Sequence, residues 1–514
     1  MCYNYEKSYY IAAISFLSEQ FFASTSYSKK RIEISFSLFI ELLAIAVLME
    51  VDMKDSYKKI ILFTTSLGAF IIPFMTSSVN IALPAISNDL PMNSILLNRV
   101  ALSYTLFMAI FVLPFGKLAD ILGRKKLLLI GLILFTAASI ICGISNSANM
   151  LIAGRIFQGI SSATITVTVV SILTSVYPTG KRGKALGLNV AMTYVGLSTG
   201  PYLGGLLTKY FGWRSIFTFI AFIGLIVIVS LLTVKQDWKV ATVEKFDGVG
   251  SAIFALSVLL IITGFSWIST SFGWLLILLG IAAAFLFVII EKKVQQPVLD
   301  IELLKGNRVL FFSSLAALIN YSATFAVSYL LSLYLQIIKG YDPAQAGLVL
   351  MAQPVVMAIL SPLAGIVSDR IHPIKVASMG MAITTLGLTL FIFLQLQTGI
   401  VYIVSALVVI GFGFAFFTSP NTNAIMSSVE NRYYGVASGI LGSARTIGQT
   451  LSMGLATSII TISIGSAQMA VDHAPELLSS IKVIFTVISA LCFSGIFVSF
   501  AGKSMSKKES KNEQ

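Results

Sequence analysis

Asp120 and Arg124 stand one helical turn apart in GKLADILGRKK (116–126), at the end of an apolar run. A carboxylate four residues before a guanidinium can pair with it. A carboxylate at a span end can also sit against a helix N-terminus, where negative charge is favoured. Such chemistry forms no covalent bond; it holds two helix ends together in one state and releases them in another. Asp369 and Arg370, in GIVSDR (365–370), carry a weaker form of the same pair. Arg155 and Arg445 fall inside apolar runs, where a charge costs at least about 2.5 kcal/mol unless it is paired or hydrated. No G-x4-G-K-[S/T] phosphate loop is present to drive an ATP-dependent step. Cys2, Cys142 and Cys492 show neither metal nor disulfide spacing. These residues predict a protein that changes shape rather than an enzyme, with no metal and no cofactor beyond a proton gradient as energy source.

The elements that must position them are written in the composition. Of 514 residues, 56% are hydrophobic and only 11% charged, with a mean hydropathy of +0.90; soluble domains carry about 25% charged residues. A helix needs about 20 mostly apolar residues to cross a bilayer. Runs of that kind recur about fourteen times, near 59–80, 98–116, 126–145, 148–174, 184–207, 214–234, 248–267, 272–290, 309–338, 345–367, 376–396, 399–425, 434–463 and 482–501. They are continuous rather than alternating, which excludes a β-barrel. The expected fold is an all-α polytopic membrane protein.

The net charge of +13 is a topological signal rather than a nucleic-acid footprint. Cations cluster after every second span, as in Lys117, Arg124, Lys125 and Lys126, then Lys181, Arg182 and Lys184, then Lys292, Lys293, Lys305 and Arg308. Intervening loops such as SNSAN (145–149) carry few. Positive residues favour the cytoplasmic side, so both ends of the core are expected there, in a multi-pass monomer of the plasma membrane. Residues 1–52 read differently. FSLFIELLAIAVLM (36–49) is short and interrupted by Glu41, while MKDSYKK from Met53 leads straight into the first span. Residues 1–52 are therefore expected to be a start-site extension or a disordered N-terminus.

The core is written twice. Gly116 and Asp120 recur at one constant offset as Gly365 and Asp369, and Gly187 and Gly200 recur near Gly435 and Gly448. Internal repeats of this kind characterise secondary transporters, whose substrate sites lie between the halves. The expected organisation is a six-helix half over 53–235, a linker with two extra helices over 236–299, a second half over 300–505 and a tail over 506–514.

At this point the residues resemble a family, the major facilitator superfamily. GKLADILGRKK is similar to its loop motif, through Gly116, Asp120, Gly123 and Arg124, with Ile121 in place of the usual basic residue. LIAGRIFQG (151–159) is similar to its fourth-span motif, through Arg155, Gln158 and Gly159. GLNVAMTYVGLSTGPYLGG (187–205) matches the antiporter motif at Gly187, Gly196, Gly200, Pro201, Gly204 and Gly205. VNIALP (79–84) and GWRSIF (212–217) resemble the fourteen-span drug:proton antiporter branch. The resemblance implies export by alternating access. Independently of it, Gly196, Gly200 and Gly204 are four apart and share one helix face. Small residues there permit close backbone approach to a neighbouring helix, and Pro201 supplies a bend.

The sixteen carboxylates from Met53 onward all read as loop, span-edge or tail residues. Where many fourteen-span exporters place an acid in the first span, this chain has Met75 in FMTSSVN. Span-edge groups such as Asp89 and Asp120 are then what remains for proton coupling. Asn80, Tyr104, Asn320, Gln353, Asn421 and Arg445 are the candidates to line a cavity, with Arg155 expected to face it as well. The expected substrate is a small amphipathic molecule, neutral or anionic rather than a permanent cation. The alternatives are a lipid flippase, a metabolite carrier or a non-transporting membrane sensor.

Overall fold

The computed structural model describes residues 56–90, 94–178, 180–238, 246–266, 270–299, 301–341, 343–464 and 474–502. The proposed extension over 1–52 and the tail over 506–514 lie outside them. Among the described residues there is helix and no strand, and all fourteen apolar segments fall on helices.

The first six are α1 (Ser56–Asp89), α2 (Ser94–Leu122), α3 (Arg124–Gly143), α4 (Ala148–Val176), α5 (Arg182–Phe211) and α6 (Arg214–Leu232). A hairpin of α7 (Gly248–Ser266) and α8 (Ser271–Glu291) follows. After the short α9 (Ile301–Gly306) come α10 (Arg308–Thr324), α11 (Val327–Leu333) and a π-helical turn (Tyr334–Ile338), which together form one span. The rest are α12 (Pro343–Leu350), α13 (Ala352–Arg370), α14 (Pro373–Leu390), α15 (Ile400–Ser427), α16 (Tyr434–Ile464) and α17 (Ala474–Ala501). Eleven helical segments are long and apolar enough to cross a membrane by themselves. α5 and α16 fall short because glycines and polar residues dilute them, and α7 because its apolar stretch, Gly248–Gly264, is short.

Local sequence sets the ends. Ser147, Thr270 and Asn307 each accept a hydrogen bond from the backbone N–H three residues on, capping α4, α8 and α10. Gly123 turns the chain between α2 and α3 with φ +102°, a conformation that only glycine adopts without strain. Prolines 114, 201, 362 and 420 remain inside helices, as membrane helices tolerate. Between α10 and α11 the freed N–H of Ala326 donates to Ser452 Oγ of α16 at 3.0 Å.

The two halves use one packing scheme. α1 packs on α5 and α6, α2 on α4, and α3 on α4 and α6; α10 packs on α16 and α17, α13 on α15, and α14 on α15 and α17. Between the halves the contacts are reciprocal: α2 lies against α16, and α5 against α13. α7 rests on both α2 and α16. The outer face of α8 exposes Leu275, Leu278, Ile281 and Phe285, a contiguous apolar surface suited to lipid rather than water.

Candidate functional site

The loop between α2 and α3 carries a charge cluster that reaches across the halves. Asp120, buried two residues from the end of α2, accepts hydrogen bonds from Gly435 N at 3.0 Å and Val436 N at 3.1 Å, the first turn of α16. The carboxylate therefore occupies the positive end of a helix from the other half. Arg124 Nη2 pairs with Asp120 Oδ1 at 2.8 Å and donates to the Asn431 carbonyl, while Nη1 donates to Ser175 Oγ and to Asn431 Oδ1 at 2.9 Å. Glycine makes the approach possible. A Cβ on Gly116 would lie 2.6 Å from the Gly435 carbonyl oxygen and 3.1 Å from Gly439 Cα.

The second copy of this arrangement faces the opposite way. Asp369 accepts from Gly183 N at 2.8 Å and Lys184 N at 3.0 Å, the first turn of α5. A Cβ on Gly187 would meet the Ser361 carbonyl at 2.6 Å and Gly365 Cα at 3.3 Å. Arg370 is exposed, so this copy lacks the buried guanidinium of the first. The structure also corrects the repeat register in this region. Gly183 and Gly187 correspond to Gly435 and Gly439, and Gly196 to Gly448, one turn away from the match read in the sequence. Glycines spaced by four keep the same face after a slip of four residues, so spacing alone does not fix the turn.

The antiporter-like stretch divides its glycines between two partners. Gly187 meets α13 of the other half, whereas Gly196, Gly200 and Gly204 lie against Phe70, Phe74, Ser77 and Ser78 of α1 in their own half. Ser78 Oγ donates to the Gly200 carbonyl at 2.9 Å. Gly205 has only an ordinary contact, 3.8 Å to Ile81. Pro201 sits within the continuous helix α5.

The fourth-span residues form a buried network inside the first half. Arg155 is 1% exposed. Its Nε donates to the Val100 carbonyl at 3.2 Å, its Nη1 to Gln158 Oε1 at 2.9 Å, and its Cζ lies 4.3 Å from the centre of the Tyr104 ring. Gln158 Nε2 donates to Ser139 Oγ at 2.8 Å, and Ser162 Oγ donates to the Tyr104 hydroxyl at 2.9 Å. Gly159 packs on the Tyr104 carbonyl. Arg155 and Tyr104 thus do not line a cavity here. A guanidinium with neutral acceptors and a ring face is held without a carboxylate.

Arg445 is placed differently. It is half-buried, its Nη2 donates to Thr422 Oγ1 at 3.0 Å, and its Nε has no partner. Its Cζ lies 5.6 Å from the centre of the Tyr321 ring. That ring meets Phe414 edge-on at 5.3 Å, and Phe414 meets Tyr194 at 6.1 Å. The Tyr194 hydroxyl donates to Thr418 Oγ1 at 3.3 Å, so α5, α10, α15 and α16 meet in one aromatic and cationic cluster. No ion pair to Arg445 occurs among the described residues. Of the other cavity candidates, Asn421 donates to the Ser313 carbonyl at 3.1 Å, a bond between helices of one half. Asn320 is fully buried with neither amide atom partnered. Gln353 is buried and Asn80 exposed. None of these four reaches the Arg445 cluster through a hydrogen bond.

The comparisons with known proteins agree with this geometry. The profile of the Major Facilitator Superfamily matches residues 65–453. The chain belongs to the major facilitator superfamily. It is 29% identical over 447 residues to the riboflavin transporter RibZ of Clostridioides difficile, covering 86% of this chain and 96% of that protein. It is 31% identical over 411 residues to the multidrug resistance protein Stp of Mycobacterium tuberculosis, covering 78% and 75%. The solved structure of the human organic anion transporter MFSD10 superposes with a TM-score of 0.63 over 87% of this chain and all of that one, at 13% identity, a likeness of fold alone.

Within this transporter fold, Arg182 was not singled out from the sequence, and neither was the partner that holds Asp89. Arg182 opens α5 and crosses to the other half, donating to the Met426 carbonyl at 3.1 Å and the Tyr434 hydroxyl at 2.9 Å. With Arg124 it brackets the Tyr434 ring, at 5.3 and 5.2 Å. A basic residue among the lysines of GKRGK gives no sign of this. At the opposite end of the helices, Asp89 pairs with Arg214 at 2.6 Å and accepts from Trp213 Nε1 at 3.2 Å. Arg214, then Trp213, hold the Asp89 carboxyl below the usual carboxylate range. Asp89 is thereby a poor proton acceptor near neutral pH.

Proposed function

We propose that this major facilitator protein is a secondary-active exporter of small amphipathic molecules, taken up by alternating access between its halves. The observation that carries the reading is Arg445, a guanidinium with an unused Nε beside Tyr321, Phe414 and Tyr194 at the seam of four helices. Aromatic walls with a few polar groups suit an amphiphile, and a cation with no carboxylate favours a neutral or anionic one. The matched pairs Asp120–α16 and Asp369–α5 act as latches that close one end while the other opens. The resemblance to Stp supports drug export, the basic loops support both ends of the core in the cytosol, and the protein is read as a monomer of the plasma membrane. Proton coupling, in this reading, uses Asp120 or a proton carried by the substrate, since Asp89 is held ionised by Arg214.

A second reading is a metabolite carrier, favoured by the resemblance to RibZ along nearly that protein's full length. One experiment separates these. Reconstituted protein is assayed for flux of riboflavin, an anionic amphiphile and a quaternary-ammonium dye, with and without a pH gradient. Efflux of the anionic amphiphile that falls in Arg445→Ala is the expected result. Robust pH-driven efflux of the dye that survives Arg445→Ala overturns the site, riboflavin flux alone establishes the carrier, and no flux of any kind refutes transport.

A further inference from the structure

The inserted hairpin does not close fully on the body. Between it and α16 lies a cavity of about 200 Å³, lined by Phe254 and Val258 of α7, Ala284 and Phe287 of α8, and Ile447 and Leu451 of α16. Its few polar side chains are already satisfied. Ser257 Oγ donates to the Gly280 carbonyl at 2.9 Å and Thr450 Oγ1 to the Thr446 carbonyl at 2.9 Å. Water needs two to four polar partners to settle in such a space, so water does not fill it. A polar or charged substrate finds no hydrogen-bonding group there either.

The position of the cavity says what does fill it. Phe287 is four residues from the end of α8, about 6 Å along the axis, and Leu299 closes the same end of the lining. Glu291 Oε2 accepts from Leu299 N at 2.9 Å and pins that segment to the end of α8. Lys292 and Lys293 follow directly and are exposed. The apolar slot thus lies within about two helical turns of an edge that exposes Lys292 and Lys293 next to the buried Glu291 and its neighbour Asp247. That is the layout of an anionic lipid, with its head group on the lysines and one chain inside.

We propose that this cavity holds the acyl chain of an anionic phospholipid from the leaflet at the basic loops. The chain wedges the hairpin against α16, the helix that carries Arg445 and that Asp120 caps. The inference rests on the membrane fold and not on the transport reading, so it stands or falls separately.

The test uses the full-length protein in phosphatidylcholine vesicles containing phosphatidylglycerol with a photoreactive acyl chain. Crosslinks are expected to concentrate on 254–262, 284–288 and 447–451 rather than on the lipid-facing residues Leu275 and Leu278. Ala284→Trp fills the slot and is expected to remove them. Replacing Lys292 and Lys293 together by Gln is expected to reduce the preference for the phosphatidylglycerol probe over a phosphatidylcholine probe by about tenfold or more. Crosslinks spread evenly over the outer surface, or unchanged in Ala284→Trp, overturn the site. Equal labelling by both probes in the wild type overturns the anionic head group. Because the wild-type map involves no substitution, misfolding of a variant does not decide the result.

Discussion

Replacing Asp120 by Asn tests the latch at its most loaded point. The carboxylate accepts from two backbone N–H groups of α16 and from Arg124, and it is 5% exposed. Asn keeps the shape and one oxygen, so one of the two N–H groups loses its acceptor and the helix end loses its charge. A charge at a partly buried helix terminus is worth up to about 2 kcal/mol, and a hydrogen bond to a charged group about 1.5–3 kcal/mol. With one bond kept, the net loss is about 2–3 kcal/mol, or about 30- to 150-fold in the ratio of closed to open states. The assay is thiol labelling of Thr418→Cys in a protein whose three native cysteines, Cys2, Cys142 and Cys492, are replaced. Thr418 is buried beneath Tyr194 in this structure, and the reagent is applied from the basic-loop side. Asp120→Asn is expected to raise the labelling rate by at least tenfold. Asp369→Asn removes a half-buried carboxylate without a buried guanidinium, and its effect is expected to be about fivefold. Unchanged labelling in folded Asp120→Asn, or a larger effect at Asp369, refutes the reasoning.

Other substitutions probe separate parts. Gly200→Leu drives a side chain into Phe74 and Ser77 of α1, an overpacking cost of about 1–3 kcal/mol. It should insert and lower thermal stability while abolishing flux, whereas Gly205→Ala, with its nearest neighbour 3.8 Å away, should change neither. The depressed Asp89 carboxyl contributes stability above its unfolded pKa of about 3.9, and this is lost only as pH falls through its lower folded value. The flux–pH profile of Asp89→Asn between pH 5 and 8 should therefore overlay the wild type, and a displaced profile would make Asp89 a proton carrier. Arg445→Ala should reduce flux of an anionic amphiphile more than that of a neutral one, read as separate KM and kcat changes in vesicles.

The spans were legible because a bilayer demands continuous apolar runs, and the fourteen runs read from 59 onward fall on helices among the described residues. The contact of Asp120 with Arg124 was legible for a similar reason, since the two are one turn apart, and its second copy was legible because Gly116 and Asp120 recur at a fixed offset. Register was not. A glycine ladder with a period of four carries no mark that distinguishes one turn from the next, and only Asp369 on Gly183 and Asp120 on Gly435 set it. Arg155 was misplaced because a charge in a span was expected to need water or an acid. The Tyr104 ring, the Val100 carbonyl and Gln158 satisfy it instead, and two of those three lie on another helix. Glu291 reads as an edge residue yet is 2% exposed, since the returning 298–299 segment covers it.

The two latches share their parts but not their weight, and that difference sets a direction. Asp120 is buried, paired with Arg124 and backed by Asn431, while Arg182 clamps Tyr434 from the same half. Asp369 has its two N–H donors and a longer contact from Asn423 at 3.4 Å. In the proposed alternating-access cycle, opening the basic end requires both to part, so the energy to be supplied is concentrated on the α2–α16 side. A ligand shifts such an equilibrium only through its different affinity for the two states. The Arg445 cluster joins α16 to α15, α10 and α5, so a substrate drawn to Arg445 pulls on the same helix whose end Asp120 holds. Contact at the seam and release at the helix end then become two terms of one balance, connected through α16.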